Sequence, residues 1–99
     1  MKKDLKNISA VLKKELPNLK LEFKVATLEV FGSYIHNEQK PGSDLDILVT
    51  FRKVPNLFEF IELENYLSDL TGLKVDLVMR SALKPNIGQR IIAEAKQII

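Results

Sequence analysis

The chain has 99 residues, of which 45% are hydrophobic and 28% charged, and its formal net charge is +2. This length supports one hydrophobic core, so we expect a single domain over residues 1–99, and the apolar content excludes a disordered chain. The absence of cysteine excludes disulfide scaffolds, thiolate zinc sites and cysteine nucleophiles. No apolar run approaches the ~20 residues of a membrane helix, and no signal peptide follows Met1. We therefore expect a cytosolic protein with no membrane partner.

Positive charge is concentrated near the N-terminus, where residues 1–24 carry seven lysines against three acidic residues. The solvated side of an amphipathic helix explains these lysines, although they could also attract a polyanion. No aromatic residues are interleaved with the lysines of residues 2–14, and no standard nucleic-acid-binding motif occurs. The sequence therefore does not indicate nucleic acid as a partner.

The first predicted elements are a helix and a strand. A helix over about residues 2–15 is predicted because apolar residues recur there at helical spacing, and Pro17-Asn18 is expected to interrupt it. Residues 24–31 are β-branched and partly alternating, which predicts a first strand that stops at Gly32-Ser33. The apolar residues at helical spacing are Leu5, Ile8, Leu12 and Leu16.

Further elements follow in an order that predicts an α/β (α+β) fold. Asn56 is the expected N-cap of the longest helix, and Gly72 is expected to end it. All three strands are expected to share one sheet, with the longer helices covering one or both faces. The last helix is predicted to have Ile87, Ile91 and Ile92 on its apolar side. These elements are a short helix at 33–37, a strand at 45–51, a helix at 56–70, a strand at 74–79 and a helix at 86–96.

Two carboxylates stand at the start of the second predicted strand. Asp44 and Asp46 are two residues apart, so both side chains lie on one face, about 6.5–7 Å apart along the chain. Their repulsion opposes the ionisation of both groups at once unless a cation or solvent relieves it. With no cysteine and one histidine in the chain, oxygen ligands favour Mg²⁺ or Mn²⁺ over zinc or copper. Magnesium commonly keeps phosphate as a further ligand, so we predict that a metal-bound nucleotide binds here.

A third carboxylate, Asp76, lies in a predicted strand, where aspartate is disfavoured. If this strand neighbours the second one, Asp76 joins Asp44 and Asp46. Three acidic groups can hold two cations, or hold one and leave the third to accept a proton from an attacking hydroxyl. Gly32 allows a phosphate to approach the backbone, while the Ser33 hydroxyl and nearby amides can donate hydrogen bonds to it. Each motif by itself also has a purely structural explanation. Ordinary turn chemistry explains Gly32-Ser33, and capping or a solvated turn explains an isolated Asp-x-Asp at a strand edge.

The combination of these motifs resembles a known signature. Gly32-Ser33, ten residues and then Asp44-x-Asp46 on a strand are similar to the signature of the nucleotidyltransferase superfamily of DNA polymerase beta, in its shortest branch, the minimal nucleotidyltransferases. The resemblance covers nearly the whole chain and implies a small mixed sheet of the nucleotidyltransferase fold with helices packed on it. It also implies that Asp44 and Asp46 bind metal, that Asp76 is the third carboxylate, and that Gly32 and Ser33 bind the triphosphate of ATP or another NTP.

The resemblance implies that a nucleotidyl group moves to an acceptor hydroxyl, and AMP from ATP is the group that we expect. A chain of 99 residues has little surface left to enclose an acceptor, so we expect a bound partner to complete the site. Members of this branch are often antitoxins paired with a HEPN-domain RNase toxin, and some transfer AMP to a tyrosine of that toxin. The competing hypothesis is a catalytically weak or inactive binding module that neutralises its partner by contact. Self-association as a homo-oligomer stays open.

Two features depart from or lie outside the signature. Ile35-His36-Asn37 stands where this branch commonly has Ala-Arg-Gly, which bears on turnover more than on fold. His36 keeps a polar group without a permanent charge, and Asn37 can replace glycine only where the backbone suits Asn, the non-glycine residue best adapted to positive φ. Phe58, which is off the apolar stripe of its helix, and Ile98-Ile99 are candidate partner contacts, with core packing as the alternative.

Overall fold

The computed structural model describes residues 4–99, and within them α-helices pack on a four-stranded sheet. One 3₁₀ turn, Gly32–Tyr34, follows the first strand, and a second, Arg80–Ala82, follows the third. Two of the elements, a second helix and a fourth strand, were not predicted. The elements are α1 (Leu5–Lys14), α2 (Leu16–Glu22), β1 (Val25–Phe31), β2 (Leu45–Phe51), α3 (Leu57–Thr71), β3 (Val75–Met79), α4 (Pro85–Glu94) and β4 (Lys96–Gln97).

The N-terminal helix and its interruption ahead of Pro17-Asn18 are confirmed, but the second helix that follows was not predicted. Helix α1 begins after Asp4, whose carboxylate accepts a hydrogen bond from the Asn7 N–H at 3.0 Å. The chain turns at Glu15 and continues as α2, with Pro17 in its first turn. Proline is tolerated there because the first-turn N–H groups have no partner within the helix. Residues 2 and 3, which the prediction included, lie outside the described residues.

Helix α3 begins and ends where the sequence predicts. The Asn56 side chain accepts from the Glu59 N–H at 2.8 Å, and the Asn56 N–H donates to the Glu59 carboxylate at 3.1 Å. This reciprocal capping box satisfies two donors that the helix itself leaves unpaired. At the other end Gly72 has φ +68°, the left-handed conformation that commonly terminates helices.

The strands form one mixed sheet in the order β3-β2-β1-β4. Strand β2 runs parallel to β3, whereas β1 is antiparallel to both β2 and β4. The prediction of a last helix over 86–96 is wrong at its end, because α4 stops at Glu94 and Ala95 is extended. The following residues pair with β1, Lys96 beside Val30 and Gln97 beside Glu29. Two residues are too few to show the alternating pattern by which a strand is predicted.

The core lies between one face of the sheet and helices α1 and α3. On the sheet side it contains Leu45 and Ile47, and on the helix side Leu12 and Leu63, all fully buried. Ile98 also packs into this core and Ile99 packs against it, so core packing is the alternative that holds for these two residues. Because side chains alternate along a strand, the neighbouring residues of β2 point to the opposite face.

Helix α4 lacks the buried apolar side that the sequence predicts. Ile87 and Ile92 are exposed, and Gly88 is the residue of α4 that is buried. A Cβ built at Gly88 would lie 3.0 Å from the Cβ of Leu83, so α4 approaches Leu83 closely through its backbone at Gly88. The isoleucine spacing therefore did not indicate a core-facing stripe.

Candidate active site

The parallel pairing of β2 and β3 brings two of the predicted carboxylates together. Asp46 and Asp76 are direct register partners, so their side chains leave the same face of the sheet on adjacent strands. This pairing confirms the condition on which Asp76 was expected to join the pair. Asp44 lies one residue before β2 and is exposed, as is Asp76, whereas Asp46 is half-buried.

Negative charge is concentrated at this point, where Asp44, Asp46 and Asp76 come together. Burial raises the pKa of Asp46 above its ordinary value, and the nearby charges of Asp76 and Asp44 raise it further. The ion pairs formed among residues 4–99 leave all three carboxylates without a basic partner. Ionised Asp46 is therefore disfavoured in the protein alone, and a bound cation would relieve that penalty.

Gly32 packs its backbone against the Asp46 carboxylate. Its φ is +79°, and a Cβ built there would collide with Asp46, whose Cγ would be 3.2 Å away and whose Oδ2 would be closer still. Any side chain would therefore both strain the backbone and displace the carboxylate. The turn that begins at Gly32 is closed by a hydrogen bond from the Ile35 N–H to the Gly32 carbonyl oxygen at 3.1 Å. Ser33 follows at once and is half-buried, so the fold brings both predicted phosphate-binding residues to the edge of the carboxylate pair.

The segment after this turn has the conformation that its sequence allows. The predicted short helix at 33–37 is a single 3₁₀ turn, and Asn37 has φ +55°. This confirms that Asn37 occupies a position suited to glycine, because Asn tolerates the left-handed region better than other non-glycine residues. His36 places Nε2 3.2 Å from Oε2 of Glu94, so the loop contacts the end of α4.

An ion pair between buried Glu29 and exposed Arg80, on the same sheet face, was not predicted. Glu29 of β1 is buried and pairs in register with Leu48, two residues along β2 from Asp46. The Nη1 atom of Arg80, one residue beyond β3, lies 3.3 Å from Oε1 of Glu29. The signal was present, since an acidic residue between Leu28 and Val30 is as unusual in a strand as Asp76 is.

Oxygen donors are the available ligands at this site. Within the described part of the chain, no three His, Cys, Asp or Glu side chains are grouped closely enough to hold a metal ion by themselves. Asp46 and Asp76, with Asp44 at the rim, offer carboxylate oxygens only, which are the ligands of hard divalent cations. None of the helices in residues 4–99 is long and apolar enough to span a membrane.

Comparison with known proteins agrees with this arrangement. Residues 6–99 match the family described as the nucleotidyltransferase domain. The chain belongs to that family. It is a nucleotidyltransferase, as the resemblance implied, and its signature from Gly32 to Asp46 lies inside the matched residues.

Relatives of this nucleotidyltransferase cover most of its length. The protein adenylyltransferase MntA of Thermococcus cleftensis is 47% identical over 90 residues, which are 91% of each chain. A solved structure assigned as a minimal nucleotidyltransferase has a TM-score of 0.77 and 30% identity, and 94% of each chain is covered. A toxin–antitoxin structure with AMP-PNP has a TM-score of 0.76 and 25% identity, with 92% of this chain and 72% of that chain covered. These similarities confirm the predicted fold and the resemblance to minimal nucleotidyltransferases.

Proposed function

We propose that this nucleotidyltransferase transfers AMP from ATP to a hydroxyl group of a partner toxin and so acts as its antitoxin. The observation that carries the proposal is the packing of Gly32 against Asp46, with Asp76 in register beside it. The protein adenylyltransferase MntA, which is 47% identical, and the toxin–antitoxin structure with AMP-PNP support the choice of nucleotide and of partner.

Asp44 and Asp46 are the residues that we assign to metal binding, with Asp76 as the third carboxylate beside them. Their oxygen donors fit Mg²⁺ or Mn²⁺, and a bound cation would offset the burial and the neighbouring charges of Asp76 and Asp44 that raise the pKa of Asp46. When bound, the cation would neutralise the triphosphate and help to orient the α-phosphate. Asp46, packed against Gly32, is the least free of the three to move.

Gly32 and Ser33 are assigned to the triphosphate. The missing Cβ at Gly32 leaves room for the Asp46 carboxylate beside the turn, and the Ser33 hydroxyl that follows can donate a hydrogen bond to a phosphate oxygen. The left-handed Asn37 retains the turn that glycine would make, which favours an active enzyme over a loop that has lost its shape.

The proposed step is an in-line displacement at the α-phosphorus. The acceptor oxygen forms a bond to this phosphorus, the bond from phosphorus to the bridging oxygen of the β-phosphate breaks, and pyrophosphate leaves with the electron pair. Asp76, which is exposed, accepts the proton from the acceptor hydroxyl. Catalysis comes from positioning and charge neutralisation.

The acceptor is expected to come from outside the chain. Asp44 and Asp76 are exposed, and Asp76 lies on β3, the last strand on that side of the sheet. We assign the acceptor hydroxyl to a HEPN-type toxin, the partner that the resemblance implies, in agreement with the toxin–antitoxin neighbour.

The test is the intact mass of a co-purified HEPN-type toxin after incubation with ATP and Mg²⁺. We expect a gain of whole adenylyl units with the wild type and none with the Asp44→Asn/Asp46→Asn variant. Asp69→Asn, which makes the same change at an exposed position of α3, serves as the matched control and should transfer AMP normally. A toxin that stays bound and unmodified with the wild type would contradict the proposal and favour neutralisation by contact.

A further inference from the structure

An exposed apolar surface lies where the start of α3 meets the outer edge of β3. Leu57 is 70% exposed and Phe58 is 82% exposed, and Ile61 is exposed beside them. An open groove of about 370 Å³ continues from Leu57. We call the three exposed side chains together with this groove the α3–β3 surface. The groove is lined mainly by Pro55, Leu57, Phe60, Leu77, Val78 and Met79.

The exposed side chains are not needed to hold α3 on the sheet. Leu63 and Leu67 are fully buried and already anchor the helix in the core. Leu57 and Ile61 are four residues apart and Phe58 and Ile61 three apart, so the three side chains are neighbours on the helix surface. A cluster of large apolar side chains exposed in this way marks an interaction site on soluble proteins.

The geometry of β3 excludes one kind of occupant. Strand β3 is at the edge of the sheet, and a peptide can add a strand only to free backbone groups. Its Val75 N–H already donates to the Ser68 hydroxyl at 3.0 Å, and its Leu77 N–H donates to the Glu64 carboxylate at 2.9 Å. Because α3 has taken these donors, we expect the occupant to be a helix that inserts side chains, not an added strand.

The charges on α3 define the chemistry of the docked helix on the side that faces α3, while Arg80 follows the groove residue Met79 on the other side. All of the charged residues between Asn56 and Gly72 are acidic. A helix seated on the α3–β3 surface would therefore gain from lysine or arginine on the flanks of its apolar face. The charged residues of α3 are Glu59, Glu62, Glu64 and Asp69.

The α3–β3 surface adjoins the candidate active site. Val78 lines the groove and lies two residues from Asp76 on the same strand, so the two side chains leave the same face, about 6–7 Å apart along the chain. A protein held in the groove would thus be anchored directly beside the carboxylate that we assign to the acceptor proton.

We infer that the α3–β3 surface is the docking site for a basic amphipathic helix of the protein acceptor. This inference rests on the proposed function for the identity of the acceptor. The surface itself is argued from the exposed side chains of α3, the occupied backbone donors of β3 and the acidic residues of α3. Docking holds the acceptor hydroxyl near Asp76 and supplies the binding that this small site lacks. Asp44, Asp46, Gly32 and Ser33, which we assign to the cation and ATP, take no part in this docking.

The surface is tested first with a synthetic probe that requires neither ATP nor toxin. The probe is a fluorescent helical peptide of about 18 residues with leucine at helical spacing and lysine on its flanks, beside a counterpart with glutamate in place of lysine. Wild type should bind the lysine peptide about tenfold or more tightly than the glutamate peptide, and Leu57→Ser/Phe58→Ser should lose about tenfold in affinity. Leu21→Ser, which changes a side chain 68% exposed on α2, is the matched control and should stay within about twofold of wild type.

The second measurement uses the HEPN-type toxin without nucleotide. Leu57→Ser/Phe58→Ser should weaken toxin binding about tenfold or more and leave the affinity for ATP with Mg²⁺ unchanged. A toxin that binds both proteins equally well would overturn the docking site and leave the proposed function intact. A toxin that fails to bind wild type, while the lysine peptide binds, would overturn the proposed partner and retain the surface.

Two further outcomes would overturn the inference. Equal binding of the lysine and glutamate peptides would remove the charge argument. Sedimentation of wild type as a dimer, and of Leu57→Ser/Phe58→Ser as a monomer, would show that the occupant is a second copy of this chain.

Discussion

On one face of strand β2, Leu45 and Ile47 are sealed beneath α1 and α3, whereas on the other face Asp46 lies beside Asp76. The two environments are one residue apart in the chain because successive side chains of a strand point in opposite directions. The apolar face stabilises the fold, and the acidic face concentrates charge that the fold does not neutralise. Substitutions at adjacent positions should therefore separate stability from transfer.

The largest effect is expected at the acidic face. Asp46→Asn should reduce AMP transfer about a thousandfold, which corresponds to ~4 kcal/mol of transition-state stabilisation. It should not unfold the protein, since it removes one charge from a repelling cluster and leaves no cavity. Steady-state transfer to the toxin and urea unfolding are the two measurements. A variant that loses stability in proportion to activity would contradict the separation of the two faces.

The next largest effect is expected at Ile47, the neighbour of Asp46, and it concerns stability in place of transfer. Ile47→Ala should lower the free energy of unfolding by about 3 kcal/mol, because it leaves a cavity in a fully buried position. Transfer per folded molecule should stay close to wild type at temperatures below the shifted melting transition. Urea unfolding followed by circular dichroism measures the loss, and a change below about 1 kcal/mol would mean that the core tolerates the cavity.

Gly32→Ala should reduce both stability and transfer, because Gly32 has a backbone conformation that favours glycine and also packs against Asp46. The new Cβ meets the Asp46 carboxylate and sits at φ +79°. We expect a loss of about 1–3 kcal/mol in stability together with a loss of transfer. Ser33→Ala, which leaves the backbone intact, provides the comparison: it should weaken ATP affinity by about 1.5–3 kcal/mol without a change in stability. Equal stability of Gly32→Ala and wild type would show that the close approach to Asp46 is dispensable.

A smaller effect is expected in the pH dependence of stability. The pKa of Asp46 is raised in the folded protein by burial and by its acidic neighbours, so the folded state holds this proton more tightly than the unfolded state. Without divalent cations, this group makes stability fall as pH rises from its ordinary pKa through its raised pKa. Asp46→Asn should lack that fall. Parallel unfolding curves of the two proteins in EDTA across this window would contradict the assignment.

The smallest effect is expected at the loop. His36 and Glu94 are both about half exposed, and ion pairs of this kind contribute about 0.5 kcal/mol or less. His36→Ala and Glu94→Gln should therefore change the unfolding free energy only slightly, and added salt should remove the difference. A large loss of transfer in either variant would show that the contact positions the loop after Ser33.

Elements with strong local signals were predicted correctly. Helix α3 has its N-cap and its terminating glycine in the sequence, and the branched residues of β1 and β2 indicated strands. The residues of the candidate site could be named from the sequence, because the Gly32-Ser33 and Asp44-x-Asp46 spacing is local and specific, and their roles stay predictions. For Phe58, which lies off the apolar stripe of its helix, the sequence left exposure and core packing open, and the structure shows it exposed.

The elements that were missed depend on distant partners. Strand β4 has two residues and exists because β1 offers a free edge for it. The Glu29–Arg80 pair joins residues 51 positions apart, and no spacing rule relates them. Helix α4 shows a helical isoleucine pattern but does not bury it, because the neighbouring elements leave that side open.

The sequence by itself determined the alternation of Asp44, Leu45, Asp46 and Ile47 where β2 begins, the glycine turn before it and the caps of α3, because each depends on a few neighbouring residues. Tertiary structure alone decided that β3 lies parallel to β2, which brings Asp76 beside Asp46, and that Gly32 packs against the same carboxylate. It also decided that the outer edge of β3 is closed by Ser68 and Glu64. These features require segments distant in the chain to meet, and strand pairing and burial of the common core hold them there.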